Sequence, residues 1–328
     1  MSNLTLNTLA PSSAQHSVAV ASLLTGATIW GLIWYPYRFL AEHGLSGTLA
    51  SACTYGIALC LGLVWYLALR VRSVRASRRA DAAANPERVV GWGLLALALA
   101  IGVTNVTFVW ATIHGVVMRV VLLFYLCPVW TALFAWLLLG ERLKPQGALV
   151  ILLGLGGAVV MLWHPEQGWP FPQTWAEWAG LLAGFLFALS NVLLRKVDQY
   201  SRELKTVWVL IGCTGVGLVG AYLENQGAQI WFPAVLPLTA WILLPLLGGI
   251  LLLANWIVQY GIERLPANRV AVIYLFELIV AGGSGWWLAG ESFGWQEAAG
   301  AALIACASVL AAQIAMAAPT LPQEQHET

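Results

Sequence analysis

Glu277 is the one carboxylate near the centre of a long apolar run, in Tyr274-Leu275-Phe276-Glu277-Leu278. A charged side chain at mid-bilayer costs roughly 2.5–3.5 kcal/mol on insertion scales, so one retained there calls for a role. Proton exchange and contact with the amine of a solute are two such roles, and a hydrogen bond that fixes one helix against another is the plainer third. Amides form a second group. Asn105 and Asn255 occupy matching depths in two other runs, Gln259 lies one turn beyond Asn255 on the same helix face, and Asn191 beside Ser190 adds a further polar spot. A membrane amide binds a polar solute or a neighbouring helix equally well. Rings fall at pocket-like spacing too: Trp30 with Trp34, Trp256 with Tyr260, and singly Trp110, Tyr125 and Tyr274. Aromatic side chains one turn apart can line a cavity and stack on an apolar or aromatic solute, or simply fill a core.

Pro36, Pro128 and Pro245 lie within or near the ends of runs. Inside a helix, Pro128 leaves the carbonyl of Phe124 without its usual donor and bends the rod. No His-Glu-x-x-His or Walker-type phosphate loop occurs. Catalytic residues, metal ligands and cofactors are therefore not expected, and an enzyme is not the reading. An intramembrane enzyme acting on lipid, which would want a nucleophile or metal cluster near one interface, and a solute channel are the alternatives. The cysteines, Cys53, Cys60, Cys127, Cys213 and Cys306, each fall inside an apolar run and read as small buried hydrophobes.

These residues must be positioned by elements that live in lipid. The 328 residues are 60% hydrophobic and 9% charged, outside the range of soluble domains. Apolar runs of bilayer-crossing length, ~20 residues at ~1.5 Å each, lie at Val18–Ala41, Gly47–Leu69, Val89–Thr112, Val116–Gly140, Gly147–Trp163, Trp175–Leu194, Thr206–Tyr222, Leu238–Ile262, Val270–Ala289 and Phe293–Met316. Backbone polar groups in hydrocarbon must be satisfied internally, and the alternating pattern of a barrel is absent, so each run is expected to be a helix.

Fourteen of the sixteen basic residues fall in alternate gaps: Arg70, Arg72, Arg75, Arg78, Arg79 and Arg88; Arg142 and Lys144; Arg195, Lys196, Arg202 and Lys205; Arg264 and Arg269. Only Arg38 and Arg119 lie in the other set. The positive-inside rule makes the first set cytoplasmic, with both termini inside and the chain multi-pass in a cell (inner) membrane. Residues 1–17 lack the positive n-region of a signal peptide and read as a cytoplasmic tail, as do residues 317–328. Basic residues scattered over short loops form no stripe for nucleic acid.

The second half repeats the first. A shift of 150 residues pairs Asn105 with Asn255, Arg119 with Arg269, Trp136 with Trp286, Gly140 with Gly290, Glu141 with Glu291 and Gln146 with Gln296. Arg38 falls against Arg195 at a nearby offset. The expected fold is an all-α integral membrane protein of ten transmembrane helices in two five-helix repeats, residues 18–163 and 175–316. An odd number of spans per copy makes the copies inverted, an arrangement that suits a carrier opening a midplane site to each side in turn. Small residues four apart, Gly154 with Ala158 and Ala298 with Ala302, mark the fifth and tenth helices as packing elements and as the face of an expected homodimer.

The chain resembles the drug/metabolite transporter superfamily, in particular its EamA-type members. Arg119-Val-Val-Leu-Leu-Phe-Tyr-Leu-Cys-Pro128, ending in Leu139-Gly140-Glu141, is similar to the family's fourth span, with its mid-helix proline and terminal Gly-Glu. Asn268-Arg269-Val through Tyr274-Leu-Phe-Glu277-Leu to Gly290-Glu291 is similar to the ninth, with Leu278 where the family commonly has proline. Ile29-Trp30-Gly31 resembles the family's opening Trp-Gly, and the stretch from Leu32 to Arg38 departs from the usual continuation. The resemblance implies a secondary carrier without a bound cofactor, with a central cavity between the halves, often an exporter of amino acids or other small metabolites.

Overall fold

The computed structural model describes residues 13–79, 91–139, 145–163, 171–197, 199–224, 236–262, 264, 273–274, 276–292 and 294–317. Their regular structure is helical throughout. In chain order the helices are α1 (Ser13–Leu32), α2 (Trp34–Glu42), α3 (Gly47–Arg79), α4 (Trp92–His114), α5 (Val117–Phe124), α6 (Cys127–Leu139), α7 (Pro145–Leu162), α8 (Trp175–Lys196), α9 (Arg202–Glu224), α10 (Leu238–Ile262), α11 (Phe276–Ala289) and α12 (Trp295–Ala317).

Six helical stretches among the described residues are long and apolar enough to cross a bilayer: Ser17–Glu42, Gly47–Leu69, Trp92–His114, Trp175–Leu194, Glu203–Glu224 and Leu238–Val258. The other four expected runs are helical in different form. The fourth is divided into α5 and α6, the fifth and ninth give the shorter α7 and α11, and the tenth gives α12. Proline explains the two interruptions. Pro128 has no N–H for the carbonyl of Phe124, and α5 ends at Phe124; Pro36 has none for Leu32, and α1 ends at Leu32. The second break lies within the first expected span, which hydropathy alone draws as one rod. Pro245 stays inside α10.

Close backbone approach replaces hydrophobic drive as the organising contact in lipid. Helix α4 packs along α8 and α9, and α10 along α1 and α3. Gly102 and Gly212 make the α4–α9 crossing: a Cβ on Gly212 would meet the carbonyl of Ala98, and one on Gly102 the carbonyl of Gly212. Helices α7 and α12 pack on each other, with Gly157 against the backbone of Gly300. Of the stripes expected on these helices, Gly154 and Ala158 on α7 are buried, whereas Ala298 and Ala302 on α12 are exposed. One apolar core gathers Tyr37, Leu49, Tyr55, Leu210, Leu244 and Leu251 from α2, α3, α9 and α10. A second gathers Trp34, Leu122, Tyr125, Met161, Leu278 and Ile304 around α5. Cys213 is buried, but Cys60 and Cys306 lie exposed on the bundle's outer surface, where their small apolar character suits lipid instead of a core.

Helix α8 opens with a capping arrangement. Thr174 accepts the Glu177 N–H at 3.2 Å while the Glu177 carboxylate accepts the N–H of Gln173 at 2.7 Å. Thr174→Ala is expected to cost about 1 kcal/mol, read as a fall of a few degrees in Tm in detergent.

Candidate functional site

Helix α11 carries three polar residues seven apart, Glu277, Ser284 and Glu291, the last just past its C-terminus. Seven residues are close to two turns, so Glu277 and Ser284 share one face of the helix, and Glu291 follows it after a turn. Gly290 ends the helix with φ +66°, a conformation that glycine adopts without strain. The turn returns Glu291 N–H to the Gly285 carbonyl at 3.1 Å.

Glu277 and Glu291 bond the two ends of α5, and Ser284 bonds α2, all in the first half. Glu277, buried, accepts the Tyr125 hydroxyl at 2.8 Å, and that hydroxyl also lies 3.2 Å from the Tyr274 carbonyl oxygen. Ser284 accepts the indole N–H of Trp34 at 3.0 Å and donates toward the Ala281 and Gly31 carbonyls. Glu291 accepts the N–H groups of Val117 and Met118 at 2.8 and 3.4 Å, at the N-terminus of α5. A carboxylate there meets unsatisfied donors and the positive end of the helix dipole.

The same end of the bundle, expected to face outward, holds both arginines that stood apart in the sequence. Arg38 Nη2 donates to the carbonyls of Thr112 and Gly115 at 2.6 and 3.0 Å, and Nη1 lies 3.7 Å from Glu291 Oε1. Its guanidinium sits 4.8 Å from the centre of the Trp34 ring. Arg119 pairs with Glu177 at 3.1 Å and with Glu297 at 3.6 Å. Thr48 donates to Glu224 at the same end.

The structure thus brings Tyr125, Tyr274 and Glu277 into one cluster, with Trp34 attached two turns along α11. Asn105 is engaged elsewhere, accepting from Ser51 and donating to Tyr55 across the α3–α4 contact. Asn255 and Asn191 are exposed, and Asn255 donates to the Leu251 carbonyl of its own helix. Trp30 packs against the first core. Trp110 stacks on His114 and borders an apolar surface hollow with Trp175 and Trp178. Tyr260 lies under the Arg264 guanidinium, 3.7 Å from it, beside Trp256 in a cleft of about 330 Å³ at the other end of the bundle, also lined by Trp65 and Glu203. The side chain of Gln259 lies outside the described residues, as do Glu141, Arg269 and the side chain of Arg195.

Sequence reasoning had not joined Ser284, Glu291, Arg38, Glu177 and Glu297 to the site. The heptad spacing 277, 284, 291 and the two arginines set apart from the other fourteen were the signals available. Trp34→Phe is expected to lower stability by about 1 kcal/mol through the lost bond to Ser284, seen as a lower Tm.

Helices of this length and apolarity, joined into one bundle, make the chain a multi-pass membrane protein. Residues 17–163 match the model of the EamA-like transporter family. Among solved structures, one described only as "Crystal structure of protein" superposes with a TM-score of 0.56 at 20% identity, over 92% of this chain and 98% of its own. That likeness carries the fold across both halves. No curated protein matches in the sequence comparison.

Proposed function

We propose that the chain is a secondary transporter, an exporter of a small organic metabolite such as an amino acid, working by alternating access through a midplane cavity. The two halves act as inverted repeats, with both termini cytoplasmic in an inner membrane. The first, third, fourth, sixth, eighth and ninth spans line the path. The observation that carries this reading is the buried carboxyl of Glu277, bonded to Tyr125 where the second half meets the first. A group that gains and loses a proton at such a contact can set which contact forms. The packing supports it: exchanging the halves turns α4 against α8 and α9 into α10 against α1 and α3, and both sets occur.

Asn191, Asn255, Gln259, Trp30, Trp110 and Tyr260 remain proposed contacts of the solute at other points of the path, and a homodimer through α7 and α12 remains a proposed assembly. The test is a thermal-shift screen of the purified protein against amino acids, nucleosides, sugars and polyamines, followed by counterflow in proteoliposomes with any hit. A ligand at 100 times its Kd stabilises by about 2.7 kcal/mol, and saturable counterflow of that ligand is the expected result. A hit that shows no counterflow, or flux that does not saturate, would count against a carrier.

A further inference from the structure

Three ion pairs among the described residues at the expected outer end join the first half of the chain to the second: Arg38 to Glu291, and Arg119 to both Glu177 and Glu297. They tie α2 and α5 to the start of α8, the turn after α11 and the start of α12, and Arg38 also bonds the carbonyls of Thr112 on α4 and of Gly115. At the opposite end the bundle instead holds the cleft between α3, α9 and α10 lined by Trp65, Trp256, Glu203 and Arg264.

The eight-residue helix α5 is held by α11 at both of its ends. At its N-terminus Glu291 takes the N–H groups of Val117 and Met118; at its C-terminus Tyr125 donates to Glu277. The break before Pro128 makes α5 a short rod separate from α6, lying along α8, where Gly180 and Gly184 admit the backbone of Val120 and Phe124. Arg119 rides on the same rod. From these contacts we infer that Arg38, Arg119 and Glu291 form a gate that holds the outer end shut, and that α5 is the strut joining this gate to the Glu277–Tyr125 contact at the midplane. Arg38 and Arg119 are then positioning residues of the transport cycle and need not touch the solute. The inference rests on the alternating-access reading above and goes further by naming the closed end and what closes it.

The experiment places spin labels on exposed positions at the two ends, in the full chain with its five cysteines replaced by serine, in phosphatidylcholine and phosphatidylglycerol nanodiscs. His43 and Trp175 report the outer end, and Trp92 and Lys196 the other. The unaltered gate is expected to give one short outer distance. Arg119→Gln with Glu291→Gln is expected to add a longer outer population, with the open-to-closed ratio rising about tenfold or more. Tyr125→Phe, which leaves every gate residue in place, is expected to shift the outer distances in the same direction. An unchanged outer distance in the folded double variant overturns the gate. Opening in the double variant with none in Tyr125→Phe overturns the strut. If the double variant does not fold, Arg119→Gln alone is read in the same way, since the Arg38 cluster stays intact. Alternating access is scored separately: outer opening without a shorter Trp92–Lys196 distance would refute that reading while leaving the gate standing.

Discussion

With glutamine in place of Glu277, a pH gradient is expected to lose its power to drive solute uptake into proteoliposomes, while exchange of solute at equal pH continues. The amide keeps an oxygen where Glu277 Oε2 now accepts the Tyr125 hydroxyl at 2.8 Å, so the contact between α11 and α5 and the fold around it survive. What is lost is the capacity to bind and release a proton. Among the described residues, the titratable side chains beside the carboxyl are Tyr125, Tyr274 and Cys127, none of them a second carboxyl. Gradient-driven uptake should fall about tenfold or more, the equivalent of ~1.4 kcal/mol in the driven step, and its dependence on pH should flatten. Unchanged uptake with an unchanged pH profile in Glu277→Gln would remove the carboxyl from the mechanism.

The second large effect belongs to stability. Gly212→Leu is expected to yield no monodisperse protein in size-exclusion chromatography, because even its Cβ would enter the backbone carbonyl of Ala98 on α4. Side chains can turn away from an intruder, whereas a helix backbone has to move bodily. Overpacking costs typically 1–3 kcal/mol where neighbours can adjust, and more where they cannot. The contrast lies one turn along the same helix. A Cβ on Gly215 meets nothing within 4 Å, so Gly215→Ala should be neutral, or stabilising by up to ~1 kcal/mol through helix propensity. If both variants behave alike in Tm and in elution profile, close contact at the α4–α9 crossing is not what holds these helices together.

Hydropathy located the helices because lipid leaves the backbone no alternative, and the proline rule located the break at Phe124. The break at Leu32 was open to the same rule, since Pro36 stands four residues beyond, but hydropathy does not register a lost donor. Among the amides, sequence depth could not separate Asn105 from Asn255. Asn105 is committed to Ser51 and Tyr55 because α3 packs beside α4, whereas Asn255 turns back on Leu251, and only tertiary packing makes that difference. The cluster of Tyr125, Tyr274 and Glu277 joins residues about 150 apart in the chain. The 150-residue shift pairs Tyr125 with Leu275 and does not predict that contact. Charge pairing at the outer end was equally hidden: Arg38 and Arg119 stood out by their side of the membrane, while their carboxylate partners come from three separate helix ends.

The shielding of those pairs has a consequence for ionic strength. Side-chain exposure is 16% for Arg119 and 5% for Glu177, and 21% and 12% for Arg38 and Glu291. Mobile ions screen charges that they can surround, over about 10 Å at 0.1 M and 3 Å at 1 M, and these charges are largely walled off from them. Fresh water and brine would therefore leave this part of the molecule fastened almost equally well.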